Sequence, residues 1–247
     1  MRIAFFADIH SNREALEACL HHSILQGVER NVFLGDLIGY GADPEWVLDT
    51  IMHHHENGAI VVLGNHDEAV YKKPDRDMHD DARYAVEWTQ PRLNNSQIKF
   101  LSELPLRIEE LDRLYVHANA WAPGQWDYIT DTFDAGRSLA ATLCRLTFCG
   151  HVHEPCLYHQ IRKKSVNAFV PQPGIGIPLS TQRSWLIIPG SVGQPRDGNP
   201  AACYSIYDSS RGMLTYFRVP YDTAAAAKKI REAGLPEWLG ARLELGV

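Results

Sequence analysis

Five apolar runs, at residues 3–7, 32–34, 60–63, 114–116 and 146–149, each break off at a polar motif. The motifs are Asp8-Ile9-His10, Gly35-Asp36, Gly64-Asn65-His66-Asp67, a lone His117, and Gly150-His151-Val152-His153. Runs this short and this continuous read as strands covered on both faces. Helical patterns separate the first three. One starts at Ser11 or Asn12, sets Leu16, Leu20 and Ile24 on a single face and stops at Gly27. The other opens with Asp43 as N-cap and Pro44 at its first position, carries Trp46, Val47, Leu48 and Ile51, and closes at Gly58. Strand, helix and strand in that order predict right-handed βαβ units and a largely parallel sheet. Such sheets gather ligands outside the carboxyl ends of their strands, so motifs far apart in sequence can converge there.

Beyond the third run, residues from about 76 to 104 follow a helical pattern with Tyr84, Trp88, Ile98 and Leu101 as apolar faces, and Pro105 ends it. Residues 72–105 therefore read as a helical cap. A hairpin turning at Leu111-Asp112 follows. Later apolar runs at 157–161, 168–170, 185–188, 203–207 and 213–219 predict a second, mostly antiparallel sheet, and residues 223–233 a final helix. The fold class is α/β, in one domain over residues 1–247. The tail after residue 233 shows no readable role.

Lys and Arg total 24 against 30 for Asp and Glu, a net charge of −6, which excludes the basic stripe of a dedicated nucleic-acid surface. An anionic substrate must then be drawn by local charge, such as bound divalent cations. The five cysteines are odd in number and form no C-x-x-C pair, as expected of small buried hydrophobes in a reducing compartment. The first apolar run is too short for a signal peptide, and no stretch of about 18 apolar residues occurs. A cytoplasmic location without a membrane partner is expected. No pattern in the chain fixes an oligomeric state.

Imidazole together with carboxylate oxygen suits borderline divalent ions. Asp8 and His10, two apart at a strand end, would share one face of an extended chain and grip one ion. Asp36 is the natural bridge, since a carboxylate oxygen can touch two cations. Asn65, His117 and His151 would complete a second site, and His153 would turn to the first. Two ions about 3.5–4 Å apart lower the pKa of a water between them and stabilise an in-line displacement at phosphorus. His66, adjacent to Asn65, takes the other post, general acid to the leaving group or electrostatic partner of the phosphoryl oxygen, and Asp67 would orient its ring.

Taken in order, these motifs resemble the signature of the calcineurin-like metallophosphoesterase superfamily. The likeness is closest to its small bacterial and archaeal phosphodiesterases, through Asp8-Ile9-His10-Ser11-Asn12 and the late run Gly190-Ser191-Val192-Gly193-Gln194-Pro195-Arg196. The resemblance implies a four-layer α/β/β/α sandwich of two mixed sheets, with a dinuclear site at the strand ends. It also implies two divalent ions among Mn, Fe, Zn and Ni, with Mn expected for activity. Two departures narrow the substrate. Protein phosphatases and symmetric dinucleoside tetraphosphatases of the superfamily carry phosphate-clamping arginines where Gly39-Tyr40-Gly41 and Ala69-Val70 stand here. Gly39 also replaces the acid that pairs with their catalytic histidine. Arg196 is the candidate replacement on the phosphoryl group, with Asn65 and Tyr40 as further substrate contacts.

The expected activity is a metal-dependent phosphodiesterase acting on a small or nucleotide-like phosphate ester. The rivals are a phosphatase, a dinucleoside polyphosphate hydrolase, and a non-catalytic scaffold of the same fold. His53-His54-His55 sits in the last turn of a helix, where the dipole favours such residues, and is read as surface rather than ligand. His21, His22, His79 and His159 are read as packing or surface residues. Trp121 and Trp126 either line the cleft or anchor their loop.

Overall fold

The computed structural model describes residues 1–72, 78–161 and 164–247. Strands β1 (Arg2–Phe6), β2 (Arg30–Phe33) and β3 (Ile60–Val61) run parallel, joined by helices α1 (Arg13–Leu25) and α2 (Pro44–Glu56). The Asn12 side chain caps α1 by accepting from the Ala15 N–H at 3.1 Å. Asp43 holds the N-cap position of α2 without a capping bond; its carboxylate instead takes the Lys229 ammonium at 2.8 Å.

On its other side β1 pairs with β11 (Ala202–Asp208), followed by β12 (Met213–Val219) and β9 (Gly176–Pro178), all antiparallel. This corrects the expectation that the last two long strands belong to the second sheet. An open β1 edge would leave a row of backbone groups unpaired, and β11 closes it from Arg2↔Asp208 to Phe5↔Ser205. The second sheet runs β4 (Arg107–Glu110), β5 (Arg113–Val116), β6 (Leu146–Phe148), β10 (Arg183–Ile188), β7 (Cys156–Ile161), β8 (Val166–Phe169). It is mixed, as a largely antiparallel sheet interrupted by the parallel pairs β5–β6 and β6–β10. A helix absent from the sequence reading, α6 (Thr132–Ala140), carries β5 over to β6, and such a crossover makes the two strands parallel.

Alternation along each strand divides the core into layers. Ile3, Phe5 and Ala7 face the second sheet, where Phe5 stacks on Phe148 with ring centroids 3.7 Å apart. Ala4 and Phe6 face α1 and α2, among Leu16, Val47, Leu48 and Ile51. Beyond the second sheet, Leu114, Val116, Leu186 and Ile188 pack on Ala135 and Leu139 of α6. The order of layers is α/β/β/α, as the resemblance implied. Each fully buried Phe or Leu in them contributes roughly 1.5–3 kcal/mol.

The start of the expected cap helix, around residue 76, lies outside the described residues. From there the segment forms two helices, α4 (Asp80–Thr89) and α5 (Asn95–Glu103), because Pro91 turns the chain and Asn94 caps the second helix through the Ser96 and Gln97 amides. The helix expected over residues 223–233 forms as α7 (Thr223–Glu232) but is not the last: the tail adds α8 (Glu237–Leu245). Leu239 and Leu243 of α8 pack on Ala226 and Ile230 of α7 and on Ala85 of α4. Among the described residues, no helix is long and apolar enough to cross a membrane.

Candidate metal centre

Asp8 follows β1, Asp36 follows β2, Asn65 follows β3, His117 follows β5 and His151 follows β6, so the parallel strands of each sheet deliver their motifs to one site. The chain does not stay extended there. Asp8, His10, Asp36, His151 and His153 all take left-handed backbone angles, with φ of 54°, 50°, 51°, 69° and 66°. For residues with a side chain this conformation costs roughly 1–3 kcal/mol each, and it persists only where the surroundings enforce it. The enforcement is visible. Ile9 and His10 amides both donate to the Asp36 carbonyl at 2.8 and 3.0 Å, and the His151 amide donates to the Asp8 carboxylate at 3.0 Å. Asp8 and His10 therefore meet through a left-handed turn, a correction to the extended-strand argument for their shared face.

Two overlapping clusters result. Asp8, His10, Asp36 and His153 form one and Asp36, His117 and His151 the other, with ligand atoms in each within 4.8 Å of one another. Asp36 belongs to both: its Oδ2 lies 3.6 Å from His10 Nε2 and 3.4 Å from His117 Nε2. Asn65 adds its Oδ1, 3.1 Å from His117 Nε2, to the second. His151 and His153, two residues apart, go to different clusters.

The tautomers show what the clusters lack. His10 Nδ1 meets the Ile38 carbonyl at 3.2 Å, His117 Nδ1 the Leu34 carbonyl at 2.8 Å, His153 Nδ1 the Gln194 carbonyl at 2.7 Å and His151 Nε2 the Trp126 carbonyl at 2.9 Å. A carbonyl only accepts, so each of these nitrogens carries the proton and the opposite nitrogen presents a lone pair. Those lone pairs face one another: His10 Nε2 is 3.2 Å from His153 Nε2, and His117 Nε2 is 3.1 Å from His151 Nδ1. With all four rings neutral, four imidazole lone pairs and two carboxylates, all buried, converge with no donor among them, and only an extra proton or a cation can relieve them. A divalent cation in each cluster resolves that conflict, and the donor set fits one.

The electrostatics agree. Burial raises the Asp8 carboxyl to about 7, against the pull of His117. Burial pushes His10 and His153 well below the usual imidazole range and His151 to about 3. His117 goes the other way. Burial opposes its charge, but Asp36 and Asp8 overcome it and lift the ring to about 9, so that a proton occupies the place of a cation.

His66 follows the first residue of a short helix, α3 (Asn65–Ala69), and its amide donates to Asp36 Oδ1 at 2.9 Å. Its ring stands 4.9 Å from the His10 ring and 4.4 Å from that of Tyr40, while its buried Nδ1 has no hydrogen-bond partner among the described residues. The ring is pressed against Gly39, where φ is +92° and a Cβ would come within 2.7 Å of Nδ1. Asp67 does not orient that ring. Its Oδ1 accepts from Leu37 and Ile38 amides at 2.9 and 3.2 Å and its Oδ2 from Gly64 at 3.0 Å, so it clamps the Asp36 loop to the start of α3. Arg196 lies in the loop after β10, its guanidinium 6.0 Å from the Tyr40 ring. The same loop props Asp8: the Ser191 hydroxyl donates to the Asp8 carbonyl at 2.8 Å.

The sequence reading did not find Tyr128, whose ring stacks on His151 at 3.9 Å and 14°. Nor did it find the carbonyls of Leu34, Ile38, Trp126 and Gln194, which any residue could supply and which leave no signal. Trp126 walls the centre 5.8 Å from the His117 ring, whereas Trp121 packs under Arg137. His53, His54 and His55 stay in the last turn of α2, away from both clusters. All five cysteines are free.

A sequence model of the calcineurin-like phosphoesterase superfamily domain matches residues 1–212. An uncharacterized protein of Methanocaldococcus jannaschii is 37% identical over 254 aligned residues, covering 99% of this chain and 98% of its own. A metallophosphoesterase from Sphaerobacter thermophilus superposes with a TM-score of 0.89 at 36% identity, over 100% of this chain and 99% of its own. A hypothetical protein from Pyrococcus horikoshii shares the fold with a TM-score of 0.78 at 17% identity, over 100% and 98%. Sequence, architecture and the paired donor clusters converge, and the chain belongs to the calcineurin-like phosphoesterase superfamily.

Proposed function

We propose that the chain is a metal-dependent phosphodiesterase that hydrolyses a small or nucleotide-like phosphate ester. The observation that carries this reading is the pair of donor clusters sharing Asp36, with ring nitrogens opposed across 3.2 and 3.1 Å. Asp8, His10, Asp36 and His153 would hold one divalent ion, and Asp36, Asn65, His117 and His151 the other. Manganese is the metal we assign for activity; Fe, Zn and Ni suit the same donors. Such ions, when bound, lower the pKa of water between them and balance charge on the phosphoryl oxygens during an in-line displacement.

The remaining roles fall to the chain. His66 delivers a proton to the departing alkoxide. Burial holds its pKa below the ordinary imidazole value, with Arg196 and His117 acting in the same direction and Asp36 against them. An arriving phosphate anion raises it again and so favours the protonated ring when it is needed. Gly39 gives that ring room, and Tyr40 packs across it. Arg196 offers its guanidinium to a phosphoryl oxygen. Gly39 and Tyr40, not the phosphatases' arginine, stand beside His66, which favours a singly charged diester over a doubly charged monoester. A cytoplasmic location belongs to the same reading and is supported by five free cysteines. A non-catalytic scaffold would have no reason to keep His66 beside a full set of donors.

The test is turnover by stripped and manganese-reloaded protein on bis-p-nitrophenyl phosphate, p-nitrophenyl phosphate, diadenosine tetraphosphate and a phosphopeptide. The diester should be cleaved only after reloading, and His66→Ala should lose at least about 10²-fold. Cleavage of the monoester alone would overturn the diesterase reading, and equal rates in the two proteins would remove His66 from the mechanism.

A further inference from the structure

Trp126 touches two ligands of the second cluster and the helix that carries a third. Its carbonyl accepts the His151 Nε2 proton at 2.9 Å, its ring stands 5.8 Å from that of His117, and its indole Nε1 donates at 3.3 Å to Glu68 Oε2 on α3, the helix that starts at Asn65. Trp126 takes a left-handed φ of 60° directly after the short helical turn Pro123–Gln125. Bulky side chains avoid that conformation, and it persists only where neighbours enforce it.

The enforcing group is Asn119, which is wholly buried. Its Oδ1 accepts from the Ala122 amide at 2.8 Å and its Nδ2 donates to the Asp127 carbonyl at 2.9 Å, so one side chain closes the loop on either side of Trp126. The start of the loop is fixed to α6: the Ala120 amide donates to the Ser138 hydroxyl at 3.1 Å, and the Arg137 guanidinium lies over the Trp121 ring at 4.2 Å. Its end is Tyr128, whose ring covers that of His151. A buried side-chain amide is costly unless both its ends are bonded, and here both are spent on the loop.

No hydrogen bond or ring contact from residues 119–128 reaches Asp8, His10 or His153 among the described residues. The ring protons of His10 and His153 go instead to the Ile38 and Gln194 carbonyls, in the loops after β2 and β10. The clusters share Asp36, but their imidazoles are oriented by separate pieces of chain.

We propose that Asn119 is a positioning residue for the second metal ion alone: by pinning Trp126 it holds His151 with its proton on Nε2 and its Nδ1 turned to the cation. The proposal rests on the two-ion reading of the centre and adds that the second site can be lost while the first stays.

Calorimetric titration of the stripped protein with manganese, read beside the EPR spectrum of the bound ions, tests it without turnover. The parent protein should take two ions and give the spectrum of an exchange-coupled pair. Two variants are compared with it, Asn119→Ala and Asn119→Asp; the second keeps the shape and the Ala122 bond but sets an oxygen against the Asp127 carbonyl. Each should bind one ion at least about tenfold more weakly and the other within about threefold of the parent. At manganese concentrations that fill the first site they should give the spectrum of isolated ions, and in crystals the anomalous peak among Asn65, His117 and His151 should be the one that falls. Both affinities unchanged, or both lowered alike, would overturn the proposal. A parent protein that binds no pair of ions would overturn the two-ion reading itself, and the proposal with it.

Discussion

Stripped of metal, the protein should bind manganese more tightly as the pH rises, on a slope set mainly by one imidazole. His117 is wholly buried, which by itself lowers its pKa, yet Asp36, 3.4 Å from Nε2, and Asp8 raise it to about 9. Its Nδ1 proton is committed to the Leu34 carbonyl at 2.8 Å, so the titrating proton sits on Nε2, the atom a cation needs. That proton must leave before the ion binds. Each pH unit below the pKa costs about 1.4 kcal/mol, so affinity at pH 7 should lie about a hundredfold, or about 2.7 kcal/mol, below its limiting value well above pH 9. The sign for the metal-free fold is the reverse. A histidine whose folded pKa is raised from 6.5 to about 9 gives stability that is complete below 6.5 and fades as the pH climbs through 9. Asp8, at about 7, releases a further fraction of a proton around neutrality. Calorimetry between about pH 7 and 8.5, in buffers of different ionisation enthalpy, reads both quantities. The association constant should rise somewhat more than tenfold per unit near pH 7, with about one and a half protons released, settling to about one proton near pH 8. Affinity flat with pH and no proton released would mean that His117 is neutral beforehand or stands clear of the ions, and would refute the reasoning.

Two substitutions separate scaffold from chemistry. Asp67→Ala leaves the amides of Leu37, Ile38 and Gly64 without their acceptor and should cost about 2–5 kcal/mol in urea unfolding; a loss under about 1 kcal/mol would contradict the clamp. Gly39→Ala places a Cβ within 2.7 Å of His66 Nδ1 at a φ of +92°. It should lower kcat on the diester at least about tenfold while manganese affinity holds within about threefold, because the ring moves and the ligands do not. Full activity would show that His66 needs no such room.

What could be read from the sequence, and what could not, divides along physical lines. The parallel half of the first sheet was legible because residues 3–7, 32–34 and 60–63 are continuous apolar runs with capped helices between them. The end of the sheet at which the motifs gather followed from that order. Local geometry was not legible. Nothing in Asp8-Ile9-His10 announces left-handed angles at residues whose side chains disfavour them, so Asp8 and His10 are neighbours through a turn and not through strand alternation. Asp67 was misjudged because adjacency to His66 suggested a partnership, whereas a carboxylate in the first turn of a helix is better placed to collect backbone amides. The partner of β1 was open because chain order does not say on which sheet a late hairpin closes an edge. Helix α8 escaped notice since Gly240, a poor helix former, sits in the middle of its sequence and only Leu239 and Leu243 mark its buried side. Helix α6 did leave a cue in Asp131, whose side chain caps it through the Phe133 and Asp134 amides.

Diffraction at the manganese edge from crystals grown with manganese would test the two-ion centre directly. The expected anomalous map has two peaks, one among Asp8, His10, Asp36 and His153 and one among Asp36, Asn65, His117 and His151, with the Asp36 carboxylate between them. A map with no peak at these residues, or with manganese only on the surface, would contradict it.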